Sequence, residues 1–511
     1  MKSIFKFIFL LLTTSTSFAQ IDGQIDSTFG INGITFANFS IGSIGTSIGV
    51  DNQQNIIAVG QIYSSNQYDF AAVKFNHQGI IDSSFAANGK FTIGFGIDDF
   101  CNSVVIQSDN KIILGGYSSA WDGFNVNSIY TQFSLIRLKN DGIIDSTFGI
   151  NGKFELDMDP IDCGAVALAL QSDGKIIAVG KYNNGSSLQI IAMRISTNGI
   201  LDVNFGNNGI FRTQIDTLLQ DDETTCCVIQ PDNKILIGFC TNDQPSMGKV
   251  FGLLRLTNDG FIDASFGGSG FLKTDIPLLP NDYPTSVKIQ NDGKILLAGT
   301  TKNSKIMAIC RYNNDGSLDN TFGDLGIDTL NISAGKDVIR DFVVLADGKI
   351  IIVGESNNNA CIVRLNQFGK IDSTFNSIGI NTYGNSSGEG FYNVHLHSPT
   401  KIVTAAYAKD TNQLLQLSVA AYNSILFSGI NLIENGFKEF NIYPNPSSQL
   451  LNFSNLNSNY SISLLDISGR LISRCNLNSN QQLDISNLTN GIYFIQVRSP
   501  NKTNFAKFIK Q

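Results

Sequence analysis

Apolar residues in this chain fall into short runs separated by turns of Asp, Asn, Gly and Lys, and the alternation keeps one rhythm. The clearest instance is Ser172-Asp173-Gly174-Lys175 followed by Ile176-Ile177-Ala178-Val179-Gly180. Asp-Gly between apolar runs predicts a tight hairpin, because both central residues of such a turn can take positive φ. Versions of this motif stand at Asp109, Asp232, Asp292 and Asp347, with degenerate ones near Gln53 and Lys401. A second motif lies between them. It is Ile25-Asp26-Ser27-Thr28-Phe29-Gly30 with Gly33, and it returns around Asp82, Asp145, Asp202, Asp263, Asp319 and Asp372, at intervals of 53 to 63 residues. Each phase predicts four strands: strand a after the Phe-Gly-x-x-Gly segment, strand b ending at the Asp-Gly-Lys turn, strand c the Ile-Ile-Ala-Val-Gly run, and strand d a run such as Leu135 to Leu138. Four-stranded units in seven phases predict an all-β, seven-bladed β-propeller, an architecture that also disposes of sheet edges.

The seventh phase ends in strand d near Leu415 to Asn423 with no Asp-x-x-Phe-Gly segment after it, whereas the chain opens on such a segment at Asp26. The N-terminal segment is therefore expected to dock after the seventh blade and close the ring. A basic residue precedes the motif Asp by eight positions in six phases: Lys74/Asp82, Arg137/Asp145, Arg194/Asp202, Arg255/Asp263, Arg311/Asp319 and Arg364/Asp372. In the seventh the equivalents are Ala421 and Gly429, so both charges are lost together. Fixed spacing and joint loss point to an ion pair pinning the turn after strand d; the rival is a ring of ligand-binding cations. The repeated Asp-Gly-x-x-Asp-x-x-Phe-Gly-x-x-Gly with its Asp-Gly-Lys-Ile partner resembles the delta-60 repeat, over about residues 20–424. The resemblance implies a β-propeller of bacterial exported and surface proteins and transfers no catalytic residues.

After Ser424 the rhythm breaks. Residues 425–437 are expected to form a linker and residues 438–511 a small Ig-like β-sandwich of roughly seven strands. Its residues Tyr443-Pro444-Asn445-Pro446, Asp466-Ile467-Ser468-Gly469-Arg470, Ile485-Ser486-Asn487-Leu488, Asn490-Gly491-Ile492-Tyr493 and the terminal Phe505 to Lys510, with Lys507 and Lys510, resemble the type A sorting domain of the type IX secretion system. That resemblance implies the type IX machinery as partner, passage through the periplasm, recognition at the outer membrane, usually removal of the domain, and release or attachment to a surface glycolipid. The alternative is an accessory carbohydrate-binding sandwich. At the other end, Lys2 and Lys6, the apolar run Phe7 to Leu12 and Ser17-Phe18-Ala19 give residues 1–19 the pattern of a cleaved secretory signal. No stretch has the length and apolarity of a transmembrane helix.

Composition narrows the function. Charged residues are 15% of the chain and the formal net charge is −8, which argues against nucleic acid as partner. The eight Cys are scattered without metal-ligand spacing, and most sit in apolar runs, so free buried thiols are expected. The sequence has no His-Glu-x-x-His and no phosphate loop. His395 and His397 would share one face of a strand and would need a third ligand to hold a metal.

Function is expected on the face carrying the variable a–b and c–d loops. The longest of these, the second-blade loop Tyr117 to Gln132, brings Trp121, Phe124 and Tyr130 as sugar or protein contacts, or as the small core of an insert. The same face carries an acidic series ten residues before the turn Asp: Asp99, Asp222, Asp282, Asp337 and Glu389, with Asp162 one step off register and Ser43 in the first phase. These carboxylates cap their own turns or bind Ca²⁺. Together the features describe an exported, surface-attached module that binds glycan or protein; a polysaccharide hydrolase or lyase and a structural adhesion component are the other readings.

Overall fold

The computed structural model describes residues 22–64, 66–121, 129–156, 158, 162–215, 221–244, 248–277, 281–301, 305–384, 390–398, 400–410, 414–424, 441–443, 447–454, 461–465, 471–477, 481–489, 491–499 and 502–510. The expected signal at 1–19 and linker at 425–437 lie outside them. Strands and turns make up the described residues, and from Ile34 to Asn423 they form seven four-stranded antiparallel sheets. The first sheet runs Ser43–Val50, Ile56–Ser64, Gln67–Phe75 and Lys90–Ile93 from its inner to its outer edge. Strand b of each phase is therefore innermost, and strand a belongs to the preceding sheet as its fourth, outermost strand. This corrects the expected grouping of a to d in one blade. The cause is local: after strand d the Asp82 amide bonds to the Lys74 carbonyl (2.9 Å) and the Lys74 amide to the Gly89 carbonyl (3.1 Å), so the motif folds back on the strand it has just left. Closing that short loop costs less entropy than a crossing to the next sheet.

The innermost strands pack side by side in a ring, the last against the first. The core is correspondingly divided into seven apolar clusters, each filled from two neighbouring sheets. One motif Phe sits in each: Phe29, Phe85, Phe148, Phe205, Phe266, Phe322 and Phe375, all fully buried. Burying such a ring contributes on the order of 1.5–3 kcal/mol, so the Phe of the repeat cements the seam between sheets.

Polar bonds run along the same seams. The amide one residue after each motif Phe donates to a carbonyl in the next turn: Gly30 to Gln78, Ala86 to Asp141, Gly149 to Asn198, Gly206 to Asp259, Gly267 to Asp315, Gly323 to Phe368 and Asn376 to Asp22, at 2.7–2.9 Å. The seventh bond joins residue 376 to the N-terminal segment. Ile34–Phe36 pairs with Ser418–Ala420 as the outermost strand of the last sheet, so the ring is closed by strands from opposite ends of the repeat array. Arg364 completes the closure by reaching Asp22 at 2.6 Å.

The spaced Arg and Asp residues meet. Nε to Oδ2 distances are 2.9 Å for Arg137/Asp145, 2.8 Å for Arg194/Asp202 and Arg255/Asp263, 2.7 Å for Arg311/Asp319 and 2.9 Å for Arg364/Asp372. Arg255 shows the whole arrangement. Its Nη2 donates to Ser265 Oγ (3.2 Å), its Nη1 to the Asn314 carbonyl of the next sheet's turn (2.6 Å), and its guanidinium lies 4.5 Å from the Phe266 ring. The Lys of each Asp-Gly-Lys turn adds a second cation to the same carboxylate, as Lys234 does to Asp263 at 3.2 Å. Two departures are informative. Lys74 turns to Asp51 (3.4 Å) and the Asn140 carbonyl (3.1 Å), leaving Asp82, because an ammonium lacks the planar fork that holds carboxylate and carbonyl at once. At the closure, Asp26 meets Lys401 at 2.6 Å where the Arg position holds Ala421.

The C-terminal residues form a three-stranded sheet (Asn441–Tyr443, Leu450–Ser454, Gln482–Asp484) and a four-stranded one (Leu471–Cys475, Ser461–Leu465, Gly491–Ser499, Lys502–Lys510) around a shared core that includes Leu451, Phe453, Ile495 and Phe508.

The clamped carboxylates predict acid sensitivity. Burial raises the Asp145, Asp263 and Asp372 carboxyls, but the Thr or Ser two residues on and the flanking Arg and Lys outweigh it and hold them at about 2. Asp319 is lowered in the same way, and Asp202 by the Asn204 amide together with Lys175 and Arg194. A folded value below the unfolded value of about 4 gives stability that is complete above that pH and lost as pH falls toward 2. Thermal unfolding between about pH 5 and pH 2 should show Tm dropping through that window, with a shallower drop in Asp263→Asn; a flat Tm would contradict the assignment.

Candidate functional site: the axial cavity and the loop face

The acidic series does not converge. Asp99, Asp222, Asp282 and Asp337 each stand at or just before the start of their own innermost strand, fully buried, and tie down their own loops. Asp99 accepts the Phe95 and Gly96 amides (2.6 and 3.3 Å), Asp282 the Ile276 amide (3.0 Å), and Asp337 the Ile332 and Ser333 amides (2.8 and 3.0 Å) with the Ser356 hydroxyl (2.6 Å). Asp222 accepts the Ile215 amide. Ser43 bonds Gln416 and the Leu417 amide instead, and Asp162 accepts the Thr131 amide at 2.9 Å. Burial pushes Asp99 and Asp282 up to about 6, the amide and hydroxyl bonds pulling the other way. Glu389 lies outside the described residues, and among those described no three His, Cys, Asp or Glu are grouped to hold a metal ion. Among the described residues the bonds of these carboxylates are those of turn capping.

The long second-blade loop is mostly strand. Ile112–Trp121 and Ile129–Leu138 pair out to Trp121 opposite Ile129, so both described ends of the expected Tyr117–Gln132 loop are paired strand. The Trp121 side chain and Phe124 lie outside the described residues; Tyr130 is paired with Ala120 and half-buried. His395 and His397 are separated by a register shift between Leu396 and Ser398. His397 Nε2 lies 2.9 Å from the Gln54 carbonyl, while His395 lines a cavity on the turn face. Burial lowers both imidazoles and so disfavours their charged forms. All eight Cys are free thiols, six of them buried, with Cys227 and Cys475 half-buried; Cys226 and Cys227 enter the clusters on opposite sides of their sheet.

The feature that sequence reading missed is on the axis. Every innermost strand carries a β-bulge two or three residues after its start. The extra residues are Thr46, Asn102, Val166, Thr225, Thr285, Arg340 and Tyr392, and all seven line one loop-face cavity of about 890 Å³. A bulge re-aims a side chain that the pleat would otherwise bury between sheets. Three of them also bridge to the next sheet: Thr46 to the Cys101 carbonyl (2.5 Å), Asn102 to that of Ala165 (2.9 Å) and Thr285 to that of Ile339 (3.0 Å). The available signal was the Gly ending the Ile-Ile-Ala-Val-Gly run, since an isolated Gly inside a strand marks a bulge or a close backbone approach. A Cβ at Gly116 or Gly180 would collide with the carbonyl oxygen of Phe100 or Gly164, just before the bulge.

Two charge clusters flank the cavity. Glu223 is gripped by Lys181 (3.0 Å) and Lys249, and Glu355 by Arg340 (2.8 Å) and Lys336 (3.8 Å). Burial opposes ionisation of Glu223, but the two lysines hold its carboxyl below the usual range. Aromatic rings stand at the same rim. Tyr63, Tyr68, Phe100 and Tyr117 follow one another at 5.0–5.1 Å, Lys249 lies over Tyr283 and Arg340 over Tyr392.

Of the sorting-motif residues, Tyr443 is exposed on a strand end, Tyr493 is buried with its ring stacked on Phe508 (5.6 Å) and its hydroxyl donating to the Thr489 carbonyl (2.9 Å), and Gly491 opens the strand paired with Lys510, which is buried. Pro444, Asn445, Pro446 and Gly469 lie outside the described residues, and Lys507 is described only by its pairing with Phe494.

The bulges predict a steric test. Gly180→Ala should cost about 2–3 kcal/mol in chemical denaturation, as overpacking against backbone does; a neutral substitution would show that the carbonyl is not fixed there.

Comparison with known proteins agrees with this architecture. Residues 441–511 match the secretion system C-terminal sorting domain family, and residues 107–148, 171–205, 230–266, 290–322 and 345–375 match the β-propeller domain of unknown function DUF5122. No curated protein matches the chain. Similar solved structures include a protein of unknown function from Dyadobacter fermentans DSM 18053 (11% identity, 77% of this chain and 100% of that one, TM-score 0.41). Others are PorZ, a surface component of the type IX secretion system of Porphyromonas gingivalis (12%, 90% and 68%, 0.29), and the polysaccharide lyase Uly1 (12%, 80% and 94%, 0.44). Among the described residues no helix is long and apolar enough to cross a membrane. Over the matched residues the chain carries DUF5122 β-propeller repeats and a secretion system C-terminal sorting domain, a tail that implies export by the type IX route.

Proposed function

We propose that this protein is a surface-delivered binding module. Its signal at residues 1–19 is removed on export, its propeller spans residues 20–424, and residues 438–511, beyond a linker at 425–437, take it through the type IX machinery to the cell surface or the medium. The propeller then binds a glycan or a protein on its loop face. The observation that carries the reading is the axial cavity: seven side chains aimed into one space by seven bulges, at a volume within the usual range of ligand sites. Catalysis has less support there. Among the described lining residues Asp162 is the one carboxylate, whereas glycoside hydrolysis uses a pair, and the carboxyls raised to about 6 at Asp99 and Asp282 are spent on their own loops. A glycan array probed with the full chain, run alongside an assay for released reducing ends, tests this. Retention without release is expected; steady release would replace the module with a hydrolase or lyase.

A further inference from the structure

We infer that the axial cavity selects an anionic oligosaccharide, one bearing uronate or sulfate groups, through Lys181 and Arg340. The inference rests on the binding-module reading and adds the place and the charge of the ligand. In a chain of net charge −8, each cluster at this rim holds two cations to one carboxylate: Lys181 and Lys249 on Glu223, Arg340 and Lys336 on Glu355. Each cluster therefore keeps one positive charge in excess. Lys181 and Arg340 both line the cavity and are partly exposed, with side-chain exposures of 40% and 30%. They stand in the third and sixth sheets, on well-separated arcs of the wall. A polymer with acidic groups spaced along it can engage both at once, whereas a single small anion meets one cluster.

The rest of the lining suits a sugar better than a peptide. Thr46, Asn102, Thr225 and Thr285 bring hydroxyl and amide groups, and Tyr117, Tyr283 and Tyr392 bring rings. Sugar hydroxyls and C–H faces match that mixture. A peptide would be held most simply by adding a strand to an open edge. The inner edge of all seven innermost strands is interrupted by a bulge, which removes that template.

The full chain, titrated calorimetrically with hexagalacturonate, a carrageenan hexasaccharide, cellohexaose and hexaglutamate, tests the inference. One or both acidic sugars should bind more tightly than cellohexaose and hexaglutamate and weaken as salt is raised. Lys181→Gln and Arg340→Gln should each weaken that binding about ten-fold, as loss of a charge-assisted contact does. Lys181→Gln leaves Lys249 on Glu223, so its Tm should stay unchanged and separate lost binding from lost fold. Cellohexaose bound equally well, or acidic binding untouched in both variants, overturns the inference while the module reading stands. Preference for hexaglutamate overturns it in favour of an acidic peptide. No binding of any probe overturns it as well, and the glycan array then decides the wider reading on its own.

Discussion

A buried guanidinium in five of the seven repeats is the constraint on which the propeller depends. An Arg lodged between sheets is costly unless each of its faces and edges is satisfied. Here the carboxylate of the same repeat takes Nε, in most of these repeats the hydroxyl two residues beyond that carboxylate takes Nη2, the next turn's carbonyl, or Asp22 in the case of Arg364, takes Nη1, and the motif Phe covers the plane. The consequence is that Asp, Thr or Ser, Phe and Gly recur together at fixed spacing, since each occupies one side of the same cation. The clamp also joins sheets, because Nη1 ends in the neighbouring repeat. Short turns, buried Phe and inter-sheet amide bonds follow from where it sits.

The same logic explains how the ring ends. A repeat array whose outermost strand always comes from the next phase leaves its last sheet one strand short, and the segment 22–36 supplies that strand together with its Asp, its Phe and its amide bond. The turn face is thus occupied by structural chemistry in every repeat. Variation is left to the loop face, where the buried carboxylates Asp99, Asp222, Asp282 and Asp337 bond the Phe95, Ile215, Ile276 and Ile332 amides. Bulge-directed side chains preorganise a cavity, which is the property a binding surface most needs.

Much of this was legible in the sequence, for physical reasons that differ from element to element. The seven-phase rhythm was plain because every sheet repeats the same turn chemistry, and the Arg–Asp spacing was plain because the pair is local. Closure was legible from the unmatched segment at Asp26. The grouping of strands was not: a repeat in sequence is a circular permutation of a sheet in space, and periodicity carries no phase. Lys74 read as one more cation of the series, because its switch to Asp51 depends on a partner in a different turn. The bulges stayed hidden because a bulge is a property of pairing register, and only Gly116, Gly180 and their equivalents mark it in the chain. The candidates Asp99 and His395 drew attention as chemistry, whereas burial and nearby backbone amides and carbonyls decided what they do.

The most direct measurement is a repair experiment on one clamp. The first repeat works with Lys74 and Asp51 where the fourth has Arg255 and Gln230. Chemical denaturation of Arg255→Lys should show a loss of about 2 kcal/mol or more, and adding Gln230→Asp should return most of it by rebuilding the first repeat's arrangement. A neutral Arg255→Lys, or a double variant no better than the single, would contradict the claim that the planar, fully satisfied guanidinium holds the sheets together.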